Sequence, residues 1–240
     1  MTNVQITDDK LIVDRSPIRP RTHSPIRRLA SVICHLSFVF LLGACATRPT
    51  FRTVVVDPGH GGHDPGENRR GVLPEKIWTL DLAYRLKSRL EQAGFNVVMT
   101  RTNDVFIPLE NRVLISNSQP NIIFVSLHFN GTPNRNIQGL ETYYDTRRSA
   151  KLAAKVQQSI LLLPGVVDRR VKTAPYFVIR HNTNPAILVE GGFLSNPIES
   201  RRIASPFYRE ALAEQIYQGI VAYRGRTPLQ ENQTANTATR

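Results

Sequence analysis

Apolar side chains follow two rhythms through the central part of the chain. Short β-branched or aromatic runs occur at residues 53–57 (TVVVD), 95–100 (FNVVMT), 121–127 (NIIFVSL), 140–144 (LETYY), 176–179 (YFVI) and 186–189 (AILV), and each predicts a strand. Between them, apolar positions step by three and four, which is the period of a helix packed on one face. Residues 75–93 place Ile77, Leu80, Ala83, Leu86, Leu90 and Ala93 on one side, and Gly94 stands where a left-handed C-cap belongs. Residues 108–116 predict a shorter helix with Pro108 in its first turn, where a missing N–H costs nothing. Residues 147–163 align Leu152, Val156, Ile160 and Leu163, and a last helix opens at Ser205-Pro206 and aligns Tyr208, Leu212, Ile216 and Ile220. Strands this continuously apolar, alternating with amphipathic helices, predict a single α/β domain. Its sheet is mostly parallel (mixed), of about six strands, with helices on both faces.

The flanks break this rhythm. Residues 1–28 are polar and basic and end in Arg27-Arg28, after which residues 29–44 are almost wholly apolar and stop at Cys45. A basic flank followed by a short apolar core and small residues predicts an exported leader. Leu42-Gly43-Ala44-Cys45 resembles a bacterial lipobox, which makes Cys45 the expected lipid-attachment residue and the membrane a partner through that anchor. Ala46, where some lipoproteins carry an inner-membrane retention Asp, leans towards the outer membrane. The expected division is therefore a leader at 1–45, a linker at 46–51, the folded domain at 52–225 and a disordered tail at 226–240. That tail is Thr, Asn, Gln and Ala without an apolar period.

Composition narrows the class. The 240 residues are 41% hydrophobic and 21% charged, enough for one sizeable core and too apolar for a disordered polyelectrolyte. No apolar run reaches the ~20 residues that span a bilayer, which excludes a polytopic membrane protein. Two cysteines exclude a disulfide-stapled miniprotein and a Cys-rich zinc finger. A net charge of +12 calls for an anionic partner, but no nucleic-acid-binding signature accompanies it.

Open α/β sheets bind ligands beyond the carboxyl ends of their strands. At those ends stand Asp57-Pro58-Gly59-His60-Gly61-Gly62-His63-Asp64, then His128, then Glu190-Gly191-Gly192, while Glu75 starts the first long helix. Two imidazoles and one carboxylate are a usual ligand set for catalytic zinc with an open position for water, and a second carboxylate would serve as base. His60, Glu75 and His128 suit the ligand roles and Glu190 the base; glycines beside His60 and after Glu190 would let a substrate backbone approach. The HExxH helix motif is absent, so this scattered spacing is a weak signal by itself. The ordinary alternatives are satisfied polar histidines at strand ends, a helix-starting charge at Glu75, and an ion-paired Glu190.

The segments VVVDPGHGGHDPG (54–66), PEK (74–76), GFNVVMTR (94–101), FVSLHFN (124–130) and PAILVEGGFLSNP (185–197) resemble the zinc-dependent N-acetylmuramoyl-L-alanine amidases of the type-3 family, in family order over roughly residues 52–224. The resemblance implies a peptidoglycan hydrolase that cleaves the amide between the lactyl group of N-acetylmuramic acid and L-alanine of the stem peptide. It implies one Zn2+ on His60, Glu75 and His128, with Glu190 catalytic. Some members carry a helical insertion that occludes the zinc; residues 129–138 are too short for it, which points to control by localisation or an accessory activator. Asn130, Arg69 and Phe193 are the candidate substrate contacts. Arg101 and Arg112 are expected to pair with acidic side chains, and His63 and His181 to be exposed or supporting. The expected partner is peptidoglycan, in the periplasm or cell envelope, with the chain a monomer and no nucleic acid bound. A zinc carboxypeptidase or deacetylase on the same polymer and a non-catalytic wall-binding protein are the alternative readings.

Overall fold

The computed structural model describes residues 51–225. The expected leader, Cys45, most of the linker and the tail lie outside the described residues. The chain runs through β1 (Thr53–Pro58), α1 (Glu75–Gln92), β2 (Asn96–Met99), α2 (Leu109–Asn117), β3 (Ile122–Asn130), β4 (Leu140–Tyr144) and α3 (Arg147–Ile160). It continues through β5 (Asp168–Thr173), α4 (Phe177–Arg180), β6 (Ala186–Phe193), α5 (Pro197–Ala204) and α6 (Pro206–Arg224). One six-stranded sheet has the order β2-β1-β3-β6-β4-β5. All its ladders are parallel except β4 against β6, so the sheet is mixed.

Alternation within the strands sorts side chains between two cores. Val54 and Val56 of β1, with Ile123, Val125 and Leu127 of β3, pack with Leu82 and Leu86 of α1, Val156 of α3, and Leu212 and Ile216 of α6. Val55, Ile122 and Phe124 face the other way, onto Val113 of α2 and Val178 and Ile179 of α4. Helices therefore cover both faces, as the apolar pattern predicts. Gly94 carries φ 80°, and its N–H closes α1 on the carbonyl of Glu91.

Three elements differ from the sequence reading. Residues 176–179 are not a strand: Phe177–Arg180 is one helical turn that buries Val178 and Ile179 against the sheet. A four-residue apolar run carries no period long enough to separate these outcomes. The sixth strand is instead Asp168–Thr173 (DRRVKT), with no apolar run to announce it. It lies at the sheet edge, where charged side chains are suited to discouraging pairing with another chain. The sequence reading also passed over α5, which Asn196 caps by accepting from the N–H groups of Ile198 and Glu199. Ile77, expected inside, is exposed, and Leu82 takes the inner position.

Helices α3 and α6 cross closely at Gly219. A Cβ there would stand 2.6 Å from Val156 Cα and 3.0 Å from the Lys155 carbonyl oxygen. Gly219→Ala is expected to destabilise the domain by about 1–3 kcal/mol through overpacking, although alanine is the better helix former by about 1 kcal/mol. Thermal unfolding checks the sign, and a raised Tm would contradict this packing.

Candidate metal centre and active site

The first strand ends in a backbone that side chains seldom adopt. His60 has φ 61°, in the left-handed region, and the glycines that follow continue the turn. Strain of this kind persists only where surrounding contacts over-determine it. Beneath the turn lies a buried layer of charge. Asp57 accepts from Arg112 (2.8 Å), Thr100 (2.5 Å) and Ser126 (2.7 Å). Arg112 also donates to the carbonyl oxygens of Pro58 (2.8 Å) and His60 (2.7 Å). Arg101 donates to the carbonyls of Pro58 (3.0 Å) and Gly59 (2.8 Å) and to Thr79 Oγ1 (3.1 Å). The expected acidic partner thus exists for Arg112. Arg101 was expected to have one too, but it is spent on backbone carbonyls, because the loop turns its unpaired acceptors inward.

On this scaffold His60, Glu75 and His128 converge. One ligand atom from each lies within 4.8 Å of the others, and the two imidazole rings stand edge to face with centroids 4.8 Å apart. Glu75 Oε2 meets His60 Nε2 at 3.0 Å, and Oε1 meets His128 Nδ1 at 3.0 Å. The same carboxylate accepts from the backbone N–H groups of Glu67 (2.9 Å) and Phe129 (2.9 Å). Burial raises the Glu75 carboxyl's pKa, yet hydrogen bonds and charge from His128 and His60 outweigh it and hold the group far below the usual carboxylate range. Burial likewise works against a charged His60, but Glu75 and then Asp64 more than offset it and raise that pKa. Asp64 Oδ2 meets His60 Nδ1 at 2.8 Å and orients the ring, a role the sequence reading did not assign. Its signal was the i, i+4 spacing from His60 inside the Gly-rich turn.

The glycines around His60 and Glu190 were expected to admit a substrate backbone. Gly59 and Gly191 make room for the protein itself. A Cβ at Gly59 would fall 2.2–2.7 Å from the His128 ring, and one at Gly191 would meet Leu212 at 2.7 Å and Phe129 at 2.8 Å.

Glu190 lies across the β3–β6 ladder from His128 and across the β4–β6 ladder from Glu141. It is buried, and its Oε2 has no hydrogen-bond partner. Desolvation first, then the charges of Glu75 and Glu141, push its pKa well above the ordinary value. A buried carboxylate with a vacant oxygen, beside two more carboxylates and a histidine pair, is a place that favours a cation and a proton-accepting partner. The donor set of two imidazoles and a carboxylate also fits zinc.

Asn130 donates to Glu141 Oε1 at 2.7 Å. Glu141, 1% exposed, also accepts from Tyr143 (2.8 Å), Arg169 (2.8 Å) and Lys172. Sequence reading missed this network because its cations sit on the unrecognised strand β5. Arg69 pairs with Glu67 and donates to the Thr132 carbonyl at 2.7 Å. Phe193 is 3% exposed, with the Arg169 guanidinium 5.0 Å over its ring. His63 is exposed and rests on Phe106, and His181 is exposed against Phe177. Residues 131–139 form a loop without a helix.

The sequence model for N-acetylmuramoyl-L-alanine amidases matches residues 54–222. The N-acetylmuramoyl-L-alanine amidase LytC of Bacillus subtilis is 35% identical over 175 residues, covering 71% of this chain and 35% of LytC. The chain thus spans about a third of that curated relative. Among solved structures, the amidase AmiC2 of Nostoc punctiforme superposes with a TM-score of 0.70 at 38% identity, covering 72% of this chain and 97% of that one. The CwlD amidase of Clostridioides difficile, solved in complex with the GerS lipoprotein, has a TM-score of 0.70 at 29% identity, covering 72% of this chain and 98% of that one.

Removing the Asp64 carboxylate frees the His60 ring to turn. Asp64→Ala is expected to weaken zinc binding about 10–100-fold with the fold intact. Competition against a chromogenic chelator measures it, and unchanged affinity would remove Asp64 from the site.

Proposed function

The chain belongs to the N-acetylmuramoyl-L-alanine amidase family, and from that premise we propose that its domain hydrolyses the amide between the lactyl group of N-acetylmuramic acid and L-alanine of the peptidoglycan stem. The observation that supports this most is the convergence of His60, Glu75 and His128 beside the vacant, buried oxygen of Glu190. His60, Glu75 and His128 would hold one zinc ion. When bound, that ion supplies Lewis acidity, which makes water a nucleophile near neutral pH and offsets charge developing on the carbonyl oxygen.

The remaining work falls to the chain. Glu190 takes a proton from the attacking water and returns it to the alanine nitrogen as the C–N bond breaks, leaving a lactyl carboxylate and a free amine. Its burial serves the exchange, since little bulk water competes for that proton. Asp64 keeps the His60 ring in register, and Glu75 ties both imidazoles to α1. Asn130, steadied by Glu141, is suited to donate to a substrate carbonyl, and Arg69 to meet a carboxylate of the stem. Phe193 supports Arg169 from below.

The domain division extends the reading beyond the described residues: leader 1–45, linker 46–51, catalytic domain 52–225 and tail 226–240, with Cys45 lipidated and the enzyme held in the cell envelope to remodel the wall. The lipobox-like LGAC sequence supports that anchor. Among the described residues, no helix is long and apolar enough to cross a membrane. CwlD assembles with a lipoprotein, and the same kind of accessory partner would suit this chain, itself a monomer.

Purified enzyme on muropeptides, followed by mass spectrometry, is expected to release intact stem peptides with a new L-alanine amino end. A zinc chelator should abolish the reaction and added zinc restore it. Glu190→Gln is expected to lower kcat by about 10²–10⁴-fold while zinc stays bound. Release of terminal D-amino acids, or of acetate, would instead identify a carboxypeptidase or deacetylase. Cys45→Ser is expected to move the protein from the membrane fraction to the soluble one.

A further inference from the structure

Beside the candidate centre, on the same carboxyl edge of the sheet, the chain forms an open cavity of about 510 Å³. Three loops build it: the one after β1 contributes Arg69 and Arg70, the one after β3 contributes Arg135, and the turn and helix after β6 contribute Leu194 and Arg201, with Trp78 of α1 as an apolar wall. Four arginines line this space and no acidic residue does. Glu67, which pairs with Arg69, offsets one of them from outside. Arg70, Arg135 and Arg201 are exposed, yet they sit around a concavity rather than scattered over a convex surface.

The cavity is mechanically continuous with the centre. Arg69 holds the Thr132 carbonyl and Glu67, and the Glu67 N–H donates to Glu75. Ser195 Oγ, also in the lining, accepts from the Thr132 N–H at 3.1 Å. A ligand seated here would be positioned against the same loops that carry His60 and His128.

We propose that this arginine-lined cavity is a subsite for the carboxylate-bearing part of the stem peptide beyond L-alanine. The proposal rests on the amidase reading and adds to it the group recognised away from the scissile bond. The volume lies in the range of sites that enclose a small ligand, about 300–1,000 Å³, which suits a few peptide residues and not a folded partner. Guanidinium forks bind carboxylates in two-pronged fashion, and an indole wall suits the aliphatic stems between them. The excess of cations thus selects stems whose carboxylates are free over stems in which they are amidated.

Arg135→Ala/Arg201→Ala tests the proposal, because both side chains are exposed and neither touches the metal cluster. Steady-state kinetics would compare wild type and variant on three substrates: a muropeptide with free stem carboxylates, its fully amidated counterpart, and N-acetylmuramoyl-L-alanine amide. The variant is expected to raise KM on the free-carboxylate substrate about tenfold or more, the loss of at least one charge-assisted hydrogen bond, with kcat within about twofold. Amidation should cost wild type a similar factor and the variant, which keeps Arg69 and Arg70, a smaller one. Turnover of the minimal substrate should be equal in both proteins. Equal KM values on the free-carboxylate substrate overturn the proposal. So does a variant that loses only its adhesion to whole sacculi, since that assigns the arginines to a wall polyanion. If wild type hydrolyses none of the three, the amidase reading itself falls, and the two failures are distinguishable.

Discussion

A carboxylate taken out of water must have its lone pairs satisfied, and in this protein Glu75 is satisfied by groups from two separate parts of the chain. His60 and the Glu67 N–H come from the loop after β1, His128 and the Phe129 N–H from β3, and Glu75 itself from the first turn of α1. Two neighbouring parallel strands and the helix packed across them are thereby tied at one point. A change in the crossing of α1 over the sheet would part the two imidazoles, so fold and site share a single constraint.

The layer below performs the complementary task. A left-handed turn at His60 points several carbonyl oxygens into the domain, where water cannot reach them. Arg101 and Arg112 meet those oxygens, and Asp57 neutralises Arg112 while engaging Thr100 of the chain after β2 and Ser126 of β3. Guanidinium groups suit this role because five fixed donors can serve several acceptors at once. The backbone strain at His60 is held by this network, which leaves the ring free to face Glu75 and Asp64.

Charge is arranged in opposition around this point. The centre collects carboxylates: Glu75 and Glu190 with Asp64 and Glu141 around them. The surroundings collect cations: Arg169 and Lys172 on one flank, and the arginines of the cavity on the other. An acidic core suits a divalent metal, and a basic periphery suits a polymer rich in carboxylates. Part of the net charge of +12 thus lies on the two flanks of the site.

Much of this was legible without coordinates, for definite reasons. Buried parallel strands are written as apolar runs, so β1, β3 and β6 and the residues at their carboxyl ends could be read directly, and with them His60, His128 and Glu190. The amphipathic period of α1 marked its start at Glu75. The edge strand β5 was hidden because a strand facing solvent needs charge rather than apolar runs, and so the network of Glu141, Arg169 and Lys172 was hidden with it. The same short-range ambiguity let a single buried turn at Phe177–Arg180 pass for a strand. The His128 ring seated over Gly59, and four arginines from three segments lining one cavity, are relations across tens of residues. Local sequence carries hydrophobic period and turn chemistry, but which side chains meet across that distance is decided only when the sheet order and the helix crossings are set.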